Sequence, residues 1–149
     1  LVWLHQAATN VRAFGHSSLQ FTPGWCVGWW FVPFANLVKP FRAVKEVWKA
    51  SDPDSVGTGY DDAWITQPVA SLLPAWWAAW IVSGVLDRIS GKIESAQAAG
   101  VFGLLGVLAS AVGAFLVVAI MREIARRQEA AWGKLEQLRA AREAVHGWG

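Results

Sequence analysis

Residues 100–121 form the longest apolar run in the chain, 22 positions from Gly100 to Met121 without a charged side chain. Wound as an α-helix, such a run is about 33 Å long, enough to cross a bilayer core of about 30 Å. Twelve of its residues are Val, Leu, Ile or Phe. Placing them in hydrocarbon favours insertion by about 4–7 kcal/mol at most, since residues away from the centre count less. A second run of 18 residues, Val69 to Leu86, lies between Gln67-Pro68 and Asp87-Arg88. Pro74 falls near its start, where it ends the first turn or kinks the helix. Trp76, Trp77 and Trp80 crowd the same end, where an aromatic belt meets headgroups. The pattern predicts two membrane spans, about 69–86 and 100–121.

Three weaker patterns surround these runs. Residues 25–38 are apolar but only 14 long, and Pro33 interrupts them. They fit a short third span, a re-entrant helix or an interfacial helix. Pro23-Gly24 marks a turn before this segment and Pro40 a break after it. Residues 41–50 read as an amphipathic helix, with Leu37, Phe41, Val44 and Trp48 along one face and Arg42, Lys45, Glu46 and Lys49 along the other. Such a helix suits either the headgroup layer or packing on its neighbours. Ser51 to Pro68 reads as a solvated acidic loop carrying Asp52, Asp54, Asp61 and Asp62. Its likeness to a calcium loop fails at Val56 and Ala63, where oxygen ligands belong. Residues 122–146 read as a charged helix continuing from the last span. Ile124, Ala131, Leu135, Leu138 and Val145 form its apolar seam, interrupted by Gln128 and Arg142. That helix fits a lipid surface, a short coiled coil or a solvated tail.

Composition sharpens this picture. The chain has 149 residues, 54% hydrophobic and 16% charged, with 11 Trp. Soluble domains carry about 25% charged residues. A net charge of +2 gives no nucleic-acid footprint. The single cysteine, Cys26, excludes an internal disulfide and reads as apolar filler. His5, His16 and His146 have no second ligand at metal spacing, and no nucleophile elbow or phosphate-binding loop is present. The expectation is an all-α integral membrane protein with no enzymatic activity and no cofactor. It divides into a membrane-embedded helical domain, residues 1–127, and a helical tail, residues 128–149. Leu1-Val2-Trp3-Leu4 reads as the last turn of an apolar helix begun upstream, so a further span is expected before it.

Charge placement orients the expected spans. The loop 39–68 carries Lys39, Arg42, Lys45 and Lys49, and the tail carries Arg122, Arg126, Arg127, Lys134, Arg139 and Arg142, whereas residues 87–99 have only Arg88 and Lys92. Positive charge is retained in the cytoplasm, so the loop and tail are expected there. Within lipid, small residues let helices approach, and Ala75, Ala79 and Ser83 form a stripe that can meet Gly106, Ser110 and Ala114 in an antiparallel pair. Self-association through one stripe is the other possibility.

The stretch Phe21-Thr-Pro-Gly-Trp-Cys-Val-Gly28-Trp29-Trp30-Phe-Val-Pro33-Phe-Ala-Asn36-Leu-Val-Lys-Pro40 resembles the signature of a bacterial membrane family, domain-of-unknown-function family 4328. Trp3-Leu-His-Gln-Ala-Ala-Thr-Asn10, Arg12-Ala-Phe-Gly15, Glu46-Val-Trp48-Lys-Ala-Ser51-Asp52-Pro53 and Trp76-Trp77-Ala-Ala-Trp80 are similar too. The resemblance covers residues 1 to about 127. It departs at Gln6 and Ala7, where the family often has Arg or Tyr. It implies a multi-span helical protein of the bacterial inner membrane and no assigned activity.

Two functions are open to such a chain. One is a membrane scaffold or interaction module whose basic cytoplasmic face, with Arg42, Lys45, Lys49, Arg126 and Arg127 toward lipid, meets anionic headgroups, a protein partner or a second copy. The other is a small-solute transporter or channel component built around the broken helix Pro33–Pro40. There, two prolines free backbone carbonyls and Asn36 can donate or accept. Trp29, Trp30, Trp76, Trp77 and Trp80 complete the candidate residues. No nucleic-acid partner and no particular small-molecule substrate is implied.

Overall fold

A computed structural model describes residues 1–60 and 62–146, apart from the side chain of His146; Asp61 of the acidic loop and the last three residues of the tail lie outside. The described residues are helical throughout, with no strand. The α-helices are α1 (Val2–Ala13), α2 (Pro23–Gly28), α3 (Lys39–Ala50), α4 (Leu72–Ser90) and α5 (Ala96–His146). Two compact units result, one from Leu1–Val69 with the chain from Arg122 onward, the other Ala70–Met121.

In the first unit, α1 corrects the expectation that Leu1–Leu4 ends a helix. The helix runs on to Ala13 and buries Leu4, Ala7, Ala8 and Val11, the i, i+3, i+4, i+7 stripe of an amphipathic helix. Pro23-Gly24 opens a helix rather than marking a turn. Thr22 caps α2, its Oγ1 accepting from the Trp25 amide at 3.3 Å, and proline is well suited to the first helical position. A single spanning helix over 25–38 does not form. The segment is α2, a 3-10 turn Trp29–Phe31 and a second such turn Ala35–Leu37. Between the two turns Phe34 has φ +62°, a left-handed backbone unfavourable for a residue with a Cβ.

Helix α3 begins at Lys39, with Pro40 in its first turn rather than breaking the chain before it. Its buried face carries Ala43, Val44, Val47, Trp48 and Ala50, so it packs inside the unit. The loop after it is half core, not wholly solvated. Ser51, Ser55, Val56 and Trp64 are buried, and 3-10 turns form at Pro53–Ser55 and Ala63–Thr66. The expected continuity from residue 121 to 122 is observed, since α5 is one helix of 51 residues. Ile124, Gln128 and Ala131 on it are buried in the first unit, Leu135 is half-buried, Leu138 lies against Gly57 while partly exposed, and Val145 is exposed, so burial fades along the seam.

In the second unit, α4 has Pro74 third in the helix, where a missing amide hydrogen leaves no bond unmade. The α4 and α5 backbones run antiparallel. A Cβ on Gly113 would lie 3.7 Å from that of Ala79, a Cβ on Gly106 would meet Leu86 and Asp87, and Ser90 Oγ donates to Ala99 O at 2.9 Å. The closest backbone approach on α5 is thus at Gly106 and Gly113, while Ser110 and Ala114, exposed, face Trp76, Trp80 and Ser83 of α4 across a small open pocket. A seven-residue step holds one helix face more closely than repeated four-residue steps. Leu104, Val107, Leu108, Val112 and Phe115 stand exposed beside those glycines. Among the described residues one helix, α5 over Ala96–Val145, is long and apolar enough to cross a membrane. Helix α4 falls short because Pro74, three tryptophans, Asp87 and Arg88 dilute its apolar residues.

Candidate functional site

The register of α3 sets the site. Arg42, Lys45 and Lys49 follow one another at three and four residues and so share a face. Glu46 lies at the inner edge of that face and is buried. Its carboxylate accepts from the backbone amides of Gln20 at 2.9 Å and Phe21 at 3.0 Å, which fixes the chain before α2 against α3. Burial raises the Glu46 pKa above the usual carboxylate range. The two amide bonds and the Arg12 charge pull it back. Arg12 Nη2 donates to Phe21 O at 3.0 Å, anchoring Phe21 from α1 as well.

On the other flank, Lys49 Nζ donates to Ile65 O, and buried Trp64 donates Nε1 to Ser18 Oγ at 2.9 Å. Trp48 Nε1 reaches Pro68 O at 3.2 Å. These bonds hold residues 20–21 and 64–65 on either side of α3, and a cleft of about 430 Å³ opens between them. Arg42, Lys45 and Lys49 line it together with Phe21, Trp64 and Ile65. Glu46 is the one acid in that lining, and both its oxygens already accept amide hydrogens. What remains for a ligand is positive charge beside aromatic surface, which suits an anion with an apolar portion.

A second, smaller cleft adjoins the first through the shared residues Gln20 and Phe21 and is also lined by Trp25, Trp29 and Lys39. Lys39 Nζ lies 5.2 Å from the Trp29 ring centroid and 5.9 Å from that of Phe21. Trp25 and Trp29 pack with centroids 4.6 Å apart. Beyond Trp29 the chain exposes Phe31, Phe34, Leu37 and Val38, with Phe34 87% accessible. Pro33 is exposed and Pro40 buried; Asn36 and Trp30 are half-buried. Asn36 makes no side-chain cap to α3, whose N-cap is Val38.

The remaining candidates lie elsewhere. Trp76, Trp77 and Trp80 form a ladder on α4, Trp76 edge-on to Trp77 at 5.3 Å and Trp77 stacked on Trp80 at 4.7 Å. Arg126 is largely exposed and forks onto Glu123 with bonds of 2.7 and 2.9 Å. Arg127, expected toward lipid, points inward. Its Nη1 meets Asp52 at 2.9 Å, its Nε meets Glu123 at 3.0 Å, and its guanidinium lies 4.3 Å from the Trp48 ring centroid. The Arg126 and Arg127 bonds hold the Glu123 carboxyl down to about 2.

One residue that sequence reasoning treated as an interruption is the hub of this side. Gln128 Nε2 donates to Ala7 O at 3.0 Å and Ser51 Oγ at 3.1 Å, and its Oε1 accepts from Asn10 at 2.8 Å. A buried polar residue on an apolar seam was the available signal, because such groups need partners. Among the described residues no group of three or more His, Cys, Asp or Glu is placed to hold a metal ion.

A family model described as a domain of unknown function (DUF4328) matches residues 1–129. No curated protein and no solved structure matches the chain.

Proposed function

From a chain that belongs to this family of unknown function, we propose a multi-pass membrane protein that acts as a membrane-surface interaction module, its α3 cleft taking anionic lipid headgroups. The observation that carries this reading is the cleft itself. Three cations surround aromatic surface, and exposed Phe31, Phe34, Leu37 and Val38 lie along the chain beside it. Basic charge next to exposed apolar side chains is the composition of an interfacial anchor. Each Lys or Arg near an anionic surface contributes about 1 kcal/mol.

The proposed topology has α4 and the 100–121 stretch of α5 as two spans. Loop 39–68 and the tail then face the cytoplasm at a bacterial inner membrane. The exposed valines, leucines and Phe115 of the second unit support it, since water tolerates contiguous apolar patches of only about 300–600 Å². With Cys26 replaced by Ala, a cysteine at Asp54 should resist an impermeant thiol reagent in intact cells, while one at Glu94 should react. The reverse pattern would invert the orientation.

The lipid-reading role is tested with purified full-length chain in a neutral detergent. Phosphatidylglycerol should raise its Tm more than a neutral glycolipid without an ammonium group does. Arg42→Gln with Lys45→Gln should remove that difference while Lys49 keeps its bond to Ile65. Equal shifts from both lipids refute a headgroup site. The competing proposal is a solute pathway at Pro33–Pro40. It draws on the left-handed Phe34 backbone, a conformation that clusters at functional sites. It requires Asn36→Leu to abolish flux in reconstituted vesicles.

A further inference from the structure

We infer that the cleft between α1 and the charged part of α5, within the first unit, binds a small organic ammonium ion. The cleft is separate from the basic one on α3, and the inference stands whatever that cleft binds. It has a volume of about 220 Å³ and is lined by Trp3, Gln6 and Asn10 from α1 and by Gln128, Glu129 and Trp132 from α5. Drug-sized ligands occupy about 300–1,000 Å³, so this space selects something smaller.

The sign of the ligand follows from which polar groups are already used. Gln128 spends both amide hydrogens on Ala7 O and Ser51 Oγ. Asn10 spends one of its two on Gln128 Oε1. The Asn10 Oδ1 accepts nothing among the described residues, and Glu129 has no hydrogen bond or ion pair there. No Lys, Arg or His lines the cleft. What is left over is one Asn10 amide hydrogen, the whole Gln6 amide, the Asn10 carbonyl oxygen and the Glu129 carboxylate, so the one formal charge in the lining is negative. These groups sit with two indoles, the aromatic side chains whose faces attract cations most strongly. Trp132 is held in place by an edge contact with Phe14 at 5.1 Å, so one wall of the cleft is fixed by the core. An anion would meet a carboxylate and no cation in the lining. An uncharged apolar guest would gain nothing from that carboxylate, which belongs to an exposed residue at the rim. A compact ammonium ion, up to the size of a quaternary one, can meet both an indole and Glu129.

The test is isothermal titration calorimetry on the full chain in maltoside detergent, which carries no ammonium group. Choline and tetramethylammonium should bind saturably, and dimethylbutanol, the uncharged carbon isostere of choline, should bind far more weakly. Trp3→Ala and Glu129→Gln should each weaken choline by roughly 5–30-fold, and Trp3→Phe should restore part of the loss. Both substitutions avoid the Phe14–Trp132 contact, and far-ultraviolet circular dichroism checks that the helices persist. Repeating the titration in phosphatidylglycerol and phosphatidylcholine nanodiscs identifies the source of the cation. Choline displaced only in the second lipid points to a lipid headgroup, and unchanged affinity points to a free solute. Equal binding of dimethylbutanol, absence of saturable choline binding by the folded protein, or indifference to both substitutions would each overturn the inference.

Discussion

In the first unit Val11, Val47, Trp48 and Ile124 are almost completely covered, whereas in the second Leu104, Val107, Leu108 and Phe115 each stand more than half accessible. Polar groups divide the same way. The first unit joins distant segments through side chains, as in Asn10 to Gln128, Arg127 to Asp52 and Trp64 to Ser18. The side-chain bonds of the second go to backbone close in sequence, from Ser83 to Trp80 O, from Arg88 to Gly84 O and, where α4 passes into α5, from Ser90 to Ala99 O. A fold in water hides apolar surface and pairs buried polar groups. A helix pair in lipid needs neither, only close backbone approach, which Gly106 and Gly113 provide. The contrast is what two solvents along one chain would produce, and both halves of it run through α5.

The sharpest break is a charge on the exposed face of the second unit. Leu108→Arg combined with Val112→Arg places two cations near the middle of the 100–121 run. If hydrocarbon surrounds that face, insertion should lose about 5–7 kcal/mol, and the protein should leave the membrane fraction. If water surrounds it, two exposed substitutions should change stability by no more than about 1 kcal/mol, and fractionation should not move. Counting the protein in membrane and soluble fractions separates these outcomes.

Gln128→Leu attacks the opposite solution in the first unit. It removes the partner of Asn10 Nδ2 and the donor to Ala7 O and Ser51 Oγ, although the Ser51 hydroxyl keeps its own bond to Val47 O, at a cost of about 1–3 kcal/mol. Thermal unfolding followed by circular dichroism should show a large drop in Tm, and retention of the wild-type Tm would empty the network of energetic meaning. This residue also marks where sequence reading stopped. The apolar stretches at 69–86 and 100–121 and the amphipathic 41–50 were legible because hydrophobic periodicity is local. Gln128 looked like a flaw in a seam, since its partners lie 118, 121 and 77 residues away. Helix α1 was missed for a related reason. Two of its four core residues are Ala, which signal a buried face weakly until a neighbouring helix is known.

The candidate site was legible in part. Arg42, Lys45 and Lys49 declared themselves as a face, but Arg127 could not be told from Arg126 by sequence. The two are adjacent on one helix, and 100° of rotation turns one outward and the other over Trp48. Arg127→Met keeps much of the stem while removing the charge, and should cost about 1–3 kcal/mol by leaving Asp52 unpaired in a largely covered position. Arg126→Met, on an exposed side chain, should leave the unfolding midpoint almost unchanged. Equal losses from the two would erase the distinction between an inward and an outward arginine.

The smallest effect is a pH dependence centred on Glu123. Its carboxyl ionises near 2 in the folded protein because Arg126 and Arg127 donate to it, with burial pulling the other way. In the unfolded chain a glutamate titrates near about 4.3. The folded form therefore holds its proton less tightly. The stabilisation is fully present above the unfolded value and is lost as pH falls from there through about 2. Both arginines serve one carboxylate that is partly open to solvent, so screening reduces the effect to a fraction of what the shift alone would give. The check is the difference between wild type and Glu123→Gln, since the other carboxylates titrate in both. Their unfolding midpoints should separate above pH 5 and converge toward pH 2. A gap that widens on acidification would mean that Glu123 is stabilised as the neutral acid, against the geometry of its two guanidinium partners.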